Sequence, residues 1–508
     1  MKRKRYRLAA GAAVLYLLLL FLLVAAERTA PEASIRSFGA AVWYSLTTLT
    51  TVGYGDLYPV TAAGRIIGAV FQFMSVGLLA VLIGAFAALL RGTLLPLAKL
   101  RLNRRRDWYV FSALTPESRA LAEALNREDR NRIILFCGDE EPPLGIRSPL
   151  EIEAICSRKK EGLSVFCMSE SMAENEQLAR TLEKWNCSVY CMSSYEPDRV
   201  PARQHRFNAA DCCARLYWKK YPLRSDRETI VLVGQGAFAA SLLEQALAVN
   251  IRSVGQEVRY EAYGDFGSFR RNHPCLPEIC EVNAARPGRD SLYFRDIPWN
   301  EEPGVLEDAD RIIFCSDSEE ENLQQLTLLR RYFPVTGNIY AKISVPFDGV
   351  TGFGSCEEIF TPELVMQTRL NRLAVRLNEI YRKGVPDAPD WDELSSFSRR
   401  SNLASADHLE MKLRILLGTD QTELTADACR RAVRAFREAD PRMREEFRQI
   451  EHTRWMRFLL LNGWQYAPVR DNARRHHPLL LPYEQLSAED QAKDDAAWEL
   501  FGTLAGEA

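Results

Sequence analysis

Two uncharged runs divide the chain. Leu8–Ala26 and Ile66–Leu90 carry no charged side chain, and each is near the ~20 residues a helix needs to cross a bilayer. Between them lies a shorter apolar stretch, 38–50, that also reads as a helix. From Asp107 onward the pattern changes to short apolar strands alternating with helices. Strands are expected at Trp108–Ala113, Arg132–Cys137, Leu163–Met168 and Cys187–Met192, with a helix over Pro116–Asn126 that Thr115 caps and Pro116 opens. A second series follows: strand Thr229–Val233, helix Ala240–Val249, strand Val258–Tyr263, a strand in 309–315 and another at Asn338–Ile343. This alternation predicts two parallel, Rossmann-like sheets. Past the Pro- and Gly-bearing stretch 383–390 the strand pattern stops. Helices are expected at Leu409–Leu417, Ala426–Ala439, Met443–Leu461 and from about Ala488.

The expected organisation is thus a membrane helical segment over 1–92, a basic linker over 93–106, a first α/β lobe over 107–225 and a second over 226–383. A linker over 384–395 and a small, mainly α domain over 396–508 complete it. A chain of 508 residues is too long for one core. Its net charge of −2 gives no signal for a nucleic-acid partner. The twelve cysteines form no CxxC pair and all fall past residue 130. They read as reduced packing residues, Cys212-Cys213 and Cys187/Cys191 included, with a redox role the alternative. His476 and His477 have no obvious companion ligands, so no metal is expected. Lys2, Arg3, Lys4, Arg5 and Arg7 precede the first apolar run, and Arg91, Lys99, Arg101, Arg104, Arg105 and Arg106 follow the second. Basic flanks mark the cytoplasmic side, so both termini are expected there, in a multi-pass cell-membrane protein. A cleaved signal peptide is the alternative for the first run.

Between the runs lies Thr51-Val52-Gly53-Tyr54-Gly55-Asp56. A potassium filter replaces the ion's hydration shell with backbone carbonyls, and Thr-Val-Gly-Tyr-Gly is its signature. Gly53 and Gly55 let the backbone leave the ordinary wells. Thr51 can add a hydroxyl, and Val52 and Tyr54 can brace the strand from outside. Irregular backbone at membrane depth must be walled by protein, for which 38–50 would re-enter as a pore helix. With the following Leu57-Tyr58-Pro59-Val60-Thr61 and Gly64-Arg65, residues 8–92 resemble the pore of two-helix bacterial potassium channels. The resemblance implies a homotetramer, one filter strand per chain, with K⁺ as the filter's ion and membrane lipids around it. It also implies filter support from Trp43 and Asp56. The Glu that many relatives place behind the filter is here Thr47, and their hinge glycine is Ser75, with Gly77 and Gly84 nearby.

The first α/β lobe turns from strand to helix through Ser112-Ala113-Leu114-Thr115-Pro116, without the glycines that admit a pyrophosphate. Asp139 and Glu140, at the end of its second strand, read as a solvated acidic turn. The second lobe carries Gly234-Gln235-Gly236-Ala237-Phe238-Ala239 between strand and helix. Those glycines leave a helix N-terminus open to phosphate. Asp265, past the next strand, is placed to hold a ribose hydroxyl, with Glu261 as a second candidate; Asp317 sits at the later switch point. The two lobes, roughly 107–383, resemble tandem RCK domains, regulators of K⁺ conductance. The resemblance implies a cytosolic ring and a nucleotide-like ligand such as NAD(H), ATP/ADP or a cyclic nucleotide.

Residues of about 390–505 resemble the ryanodine-receptor (RyR) repeat. The matching features are Glu451-His452, Trp455, Gly463-Trp464-x-Tyr466-x-Pro-Val-Arg470-Asp471 and His477-Pro478 through Leu481-Pro482-Tyr483-Glu484. Trp464, Tyr466, Arg470 and Tyr483 suit either a stacking and phosphate pocket or a structural core. The expected whole is a potassium-selective channel gated by a cytosolic ligand. A non-conducting membrane receptor and an NAD-dependent oxidoreductase are the alternatives. No poised acid–base pair follows the fingerprint, so no enzyme is expected.

Overall fold

A computed structural model describes residues 2–138, 140–201, 203–366, 369–385, 387–419 and 423–507, with the side chains of 2–13, Ser75, Leu78 and Leu82 outside the description. Asp139 therefore lies outside the described residues. The chain forms two compact units, Met1–Asn103 and Arg104–Ala508.

The first unit is helical. Helix α1 (Lys2–Glu27), α2 (Phe38–Leu49) and α3 (Ala62–Leu89) pack through Leu20, Leu23, Ile35, Ala41, Tyr44 and Phe71. A π-helical turn at Leu90–Leu94 leads into α4 (Leu95–Leu102). The sequence placed a linker there. A proline ring collides with the carbonyl four residues back in a regular helix. The wide π turn precedes Pro96 and lets the helix run on to Leu102. Among the described residues, Ala62–Leu102 is long and apolar enough to cross a membrane, and Val14–Glu27 is a shorter apolar helix.

The second unit begins with β1 (Trp108–Phe111), α5 (Pro116–Glu128), β2 (Ile133–Phe136), β3 (Ile146–Arg147) and α6 (Ile152–Arg158). It continues with β4 (Leu163–Cys167), α7 (Met172–Leu182), β5 (Ser188–Met192), β6 (Gln204–Phe207) and α8 (Ala209–Lys220). The six strands are parallel in the order β3-β2-β1-β4-β5-β6, a doubly wound sheet. One row of rings crosses it: Phe136, Phe111, Phe166, Tyr190 and His205 lie in register on five neighbouring strands. Their centroids are 4.9, 4.6, 5.0 and 5.2 Å apart.

The second lobe holds β7 (Thr229–Val233), α9 (Ala237–Val249), β8 (Arg259–Tyr263), α10 (Gly267–Asn272), α11 (Leu276–Ile279), β9 (Glu281–Val282) and β10 (Ser291–Arg295). Then come α12 (Pro303–Glu307), β11 (Arg311–Phe314), α13 (Glu319–Tyr332), β12 (Asn338–Lys342), β13 (Thr351–Phe353), α14 (Cys356–Ile359), α15 (Pro362–Val365) and α16 (Arg372–Gly384). Its parallel order is β13-β12-β11-β7-β8-β10-β9. The direction of winding reverses between β7 and β11, and the glycine-rich turn sits at that switch.

The last third is mainly helical: α17 (Ser396–Leu417), α18 (Ala426–Glu438), α19 (Pro441–Leu461), a two-residue pair β14 (Gln465–Tyr466) and β15 (His476–His477), then α20 (Ala488–Ala492) and α21 (Ala496–Glu507). Helix α16 shares a core with α17, α18 and α21 through Ala374, Leu377, Leu409, Leu413, Cys429 and Phe501. The apolar core of both lobes runs on into α19. The sequence separated three modules past residue 106; one hydrophobic core cluster runs through all three.

Candidate functional site

The segment after α2 has an alternating backbone. Thr51, Gly53 and Gly55 have φ of 62°, 57° and 74°, while Val52 and Tyr54 stay at negative φ. Alternating hands along consecutive residues turn successive peptide groups to the same side. Gly53 and Gly55 accept this freely. Thr51 does not, at a cost on the order of 1–3 kcal/mol that the surroundings must offset. The amides of Val52 and Gly53 both donate to Thr47 O at 3.0 and 3.1 Å, Thr51 N donates to Thr48 O, and Thr51 Oγ1 donates to Thr50 O at 2.6 Å. The N–H groups are thus drawn back onto the end of α2, which leaves the carbonyls for the other side.

The wall around this segment is built from α2 and the descending loop. Trp43 Nε1 donates to Asp56 Oδ2 at 2.8 Å, and its ring lies parallel to Tyr54, centroids 6.0 Å apart. Thr47 Oγ1 turns away to Tyr44 O. Gly77 and Gly84 lie in α3 with open space where a Cβ would stand. Ser75 is in the same helix, with its side chain outside the described positions.

Glu27 gave no signal as a site residue in the sequence, where it is the first charged residue after the apolar run 8–26. It is fully buried. Its carboxylate accepts from Val60 N at 2.9 Å, Thr61 N at 2.9 Å and Thr61 Oγ1 at 2.7 Å. Thr61 in turn caps α3 by accepting from Gly64 N. A Cβ on Gly64 would lie 2.0 Å from Glu27 Oε1. The end of α1, the loop at Val60-Thr61 and the start of α3 therefore meet at one carboxylate.

In the second lobe β7 delivers Gly234 to a tight turn. A Cβ there would lie 2.7 Å from Ser316 N, and one on Gly264 would lie 2.1 Å from Gly234 O. Gly236, with φ of 92°, is the residue before α9, and no side chain of its own caps that helix. Asp317 does so from β11's end: its two oxygens accept from Ala237 N at 3.0 Å and Phe238 N at 2.9 Å. Gln235 Nε2 bonds the Glu321 carboxylate at 3.1 Å, and Lys342 lies over the half-buried Phe238 ring, 4.2 Å from its centroid. Asp265 is exposed and accepts from Gly267 N. Glu261 is fully buried and held by Arg259 and Arg295, which commits it to the interior.

The equivalent turn of the first lobe is closed by its own residues. Thr115 Oγ1 and Ser118 Oγ form a reciprocal capping box at the start of α5, and Pro116 removes one more free N–H. The N–H groups of Thr115 and Ser118 are thereby already taken.

The four aromatic and basic candidates of the last third fall apart into two groups. Trp464 and Tyr483 are buried. Trp464 packs on Phe397 at 5.2 Å and His477 at 6.2 Å, and Tyr483 faces His452 at 5.9 Å. Tyr466 is 49% exposed, and Arg470 Nε donates to Asn472 on an exposed loop. The open cavity beside Arg470 is lined by Ala467–Asn472, Arg474 and His476, and not by Trp464, Tyr466 or Tyr483.

Sequence also gave no hint of the charges that tie the last third to the lobes, since their partners are more than 150 residues apart. Arg215 on α8 donates to Asp407 at 2.7 and 3.0 Å and to Asn371 at 2.9 Å. Arg457 on α19 donates to the buried Asp290 at 2.7 Å.

Comparison with known proteins gives matches at two stretches of the chain. Residues 9–92 match the family model described as Ion channel, and residues 435–505 match the RyR domain model. The second match is shorter than the resemblance drawn over 390–505. The A-type voltage-gated potassium channel KCND3 of Mus musculus is 25% identical over 257 residues, 45% of this chain and 39% of that protein. The calcium-gated potassium channel TvoK of Thermoplasma volcanium is 34% identical over 64 residues, 13% of this chain and 18% of its own length. A voltage-gated potassium channel of Aeropyrum pernix is 39% identical over 64 residues, 13% of this chain and 22% of its own. The chain thus spans about two-fifths or less of the length of these relatives. Two solved structures, of GsuK bound to ADP and of the GsuK channel bound to NAD, each give a TM-score of 0.34. They are 16% and 13% identical and cover 71% and 73% of this chain and 98% and 86% of theirs. At that score the likeness settles neither arrangement nor ligand. The chain therefore carries, at residues 9–92, an ion-channel domain whose relatives are potassium channels, and it ends in a RyR domain.

Proposed function

We propose that the protein is a potassium-selective channel, assembled as a homotetramer, whose conductance is set by a cytosolic nucleotide-like ligand. The observation that carries the first part is the alternating backbone at Thr51, Gly53 and Gly55, with its amides returned to Thr47 O. A single strand with carbonyls aimed one way is one quarter of an ion cage, so four chains around an axis are required. The same need for four strands is what makes the exposed Val52 and Tyr54, 53% and 69% open in one chain, sensible as contacts between subunits.

The two Rossmann-like lobes take the part of RCK domains, and the second is the one equipped for a ligand. Its glycine turn lies at the sheet's switch point, where such sheets take ligands. Phosphate there would use the N–H groups of Ala237 and Phe238, with Gly234, Gln235 and Gly236 forming the turn and Asp265 facing a ribose. Trp464, Tyr466, Arg470 and Tyr483 keep a role as fold-holding and surface residues of the RyR domain. Ligand binding can bias the pore by no more than the difference in its affinity for the open and closed rings. Gly77 and Gly84 are the positions in α3 where bending costs least.

Purified protein in liposomes tests the reading. It should pass K⁺ and exclude Na⁺. Equal flux of both ions refutes it, and no flux under any ligand favours a non-conducting receptor. Nicotinamide turnover by the same preparation would support an oxidoreductase.

A further inference from the structure

We infer that Asp317 is a built-in anion that holds the phosphate position of the second lobe shut, so that a nucleotide must displace it to bind. This rests on the reading of that turn as a nucleotide site.

The geometry is that of a bound phosphate oxygen pair with the ligand supplied by the chain itself. Both carboxylate oxygens of Asp317 take the first two N–H groups of α9, Ala237 N and Phe238 N. The space a Cβ would need on Gly236 is occupied by the same carboxyl group, at 2.3, 2.4 and 2.7 Å. Gly236 thus makes room for Asp317 here, as the middle glycine of a dinucleotide turn makes room for pyrophosphate. The carboxylate is held in place by its backbone: Asp317 N donates to Gln235 O at 3.2 Å, and Lys342 Nζ donates to Asp317 O at 3.1 Å.

Nearby charge points the same way. Glu319 is engaged by Ser344, Glu321 by Gln235, and with Glu320 they form a run of acids that starts two residues after Asp317. A phosphate entering with Asp317 in place would meet negative charge within hydrogen-bond distance of both its donors. Binding and plug are therefore mutually exclusive. The Asp317 carboxylate must leave Ala237 N and Phe238 N whenever a phosphate is accepted there. The plug makes ligand binding and release of that carboxylate one event.

Asp317→Asn keeps the size of the side chain and removes its charge; Asp317→Ala removes both. ADP is a suitable probe because it presents a pyrophosphate and a ribose. Binding to the full-length detergent-solubilised protein is followed by calorimetry, beside Gly236→Val to locate the site. Both Asp317 variants should bind ADP about tenfold or more tightly than the unaltered protein, within the usual range of coupling between exclusive states. Thermal unfolding midpoints verify that they are folded. If unaltered protein binds ADP at this turn and neither Asp317 variant binds more tightly, the plug is wrong and the nucleotide site stands. If neither the unaltered protein nor either variant binds ADP, plug and nucleotide site both fail.

Discussion

Glu27 offers the most direct test of how the pore is held together. Its carboxylate takes three hydrogen bonds from Val60 and Thr61. Bonds to a charged acceptor contribute about 1.5–3 kcal/mol each, less when they share one partner. Glu27→Gln keeps the shape but removes the charge, leaving one carbonyl oxygen for the two Thr61 donors and turning the amide N–H₂ toward Val60 N. A loss of roughly 3 kcal/mol at the junction of α1 and α3 follows, one charged bond lost and two weakened. Gly64→Ala reaches the same contact from the other side. Its Cβ would fall 2.0 Å from Glu27 Oε1 and 2.9 Å from Thr61 Oγ1, so the carboxylate must leave. The two changes break one interaction, and contacting residues are not additive. The double variant should therefore unfold at nearly the same temperature as the worse single variant, followed by tryptophan fluorescence in detergent. K⁺ flux should fall in parallel. Additive losses, or a Gly64→Ala protein as stable as the original, would refute the clamp.

Other consequences are as direct. Trp43→Phe keeps the ring beside Tyr54 but loses the bond to Asp56, so K⁺ over Na⁺ selectivity in liposome flux should fall, and Asp56→Asn should do the same. Arg457→Ala strands the buried Asp290 and should cost about 3–5 kcal/mol in denaturant unfolding, with Asp290→Asn restoring part of it. His408 is buried with Nε2 2.8 Å from Ile251 O, and burial pushes its pKa from 6.5 down to about 3. The unfolded chain takes up that proton as pH falls through 6.5 and the folded one does not until about 3, so this stability is present above 6.5 and lost between the two. His408→Gln should flatten the fall of the unfolding midpoint from pH 7 to 5. Asp494 has the opposite sign: burial first, then Glu451, raises its pKa from 3.8 to about 7. Its contribution is full below 3.8 and gone above 7, so Asp494→Asn should raise the midpoint at pH 8 relative to pH 5.

What the sequence made legible was whatever depends on neighbours in the chain. The strand Thr229–Val233 was placed to the residue, and Phe38–Thr50 and Ala426–Ala439 to within one, because the period of apolar residues and the caps Ser37 and Thr425 are local signals. Two strands escaped. Gln204–Phe207, at a sheet edge, has only its end residues buried, and Ser291–Arg295, between β8 and β9, holds an apolar run of just three residues, Leu292–Phe294. They exist because a neighbouring strand supplies their hydrogen bonds. The basic stretch after the inner helix read as a linker by charge, although Lys99 and Arg101 belong to residue types that favour helix.

The overlooked role of Glu27 and the unforeseen role of Asp317 have one cause. Both are acids whose meaning is fixed by backbone N–H groups distant in sequence, 33 and 34 residues away for Glu27 and 80 and 79 for Asp317. A carboxylate near a turn looks solvated in sequence, and only the fold reveals that it closes a helix start. In each case the partner glycine, Gly64 or Gly236, marks the spot, because a glycine at a helix start leaves room for an oxygen beside the backbone. The acid–glycine pair is therefore the unit that carries the information. At Gly64 it fastens the start of α3 to the end of α1, and at Gly236 it holds the position where a ligand's phosphate would stand. The first pair has no competitor for its carboxylate, so it is a fixed joint. The second faces a surface open to solvent, so its carboxylate can be exchanged for another anion, and that is what makes it suitable as a point of control.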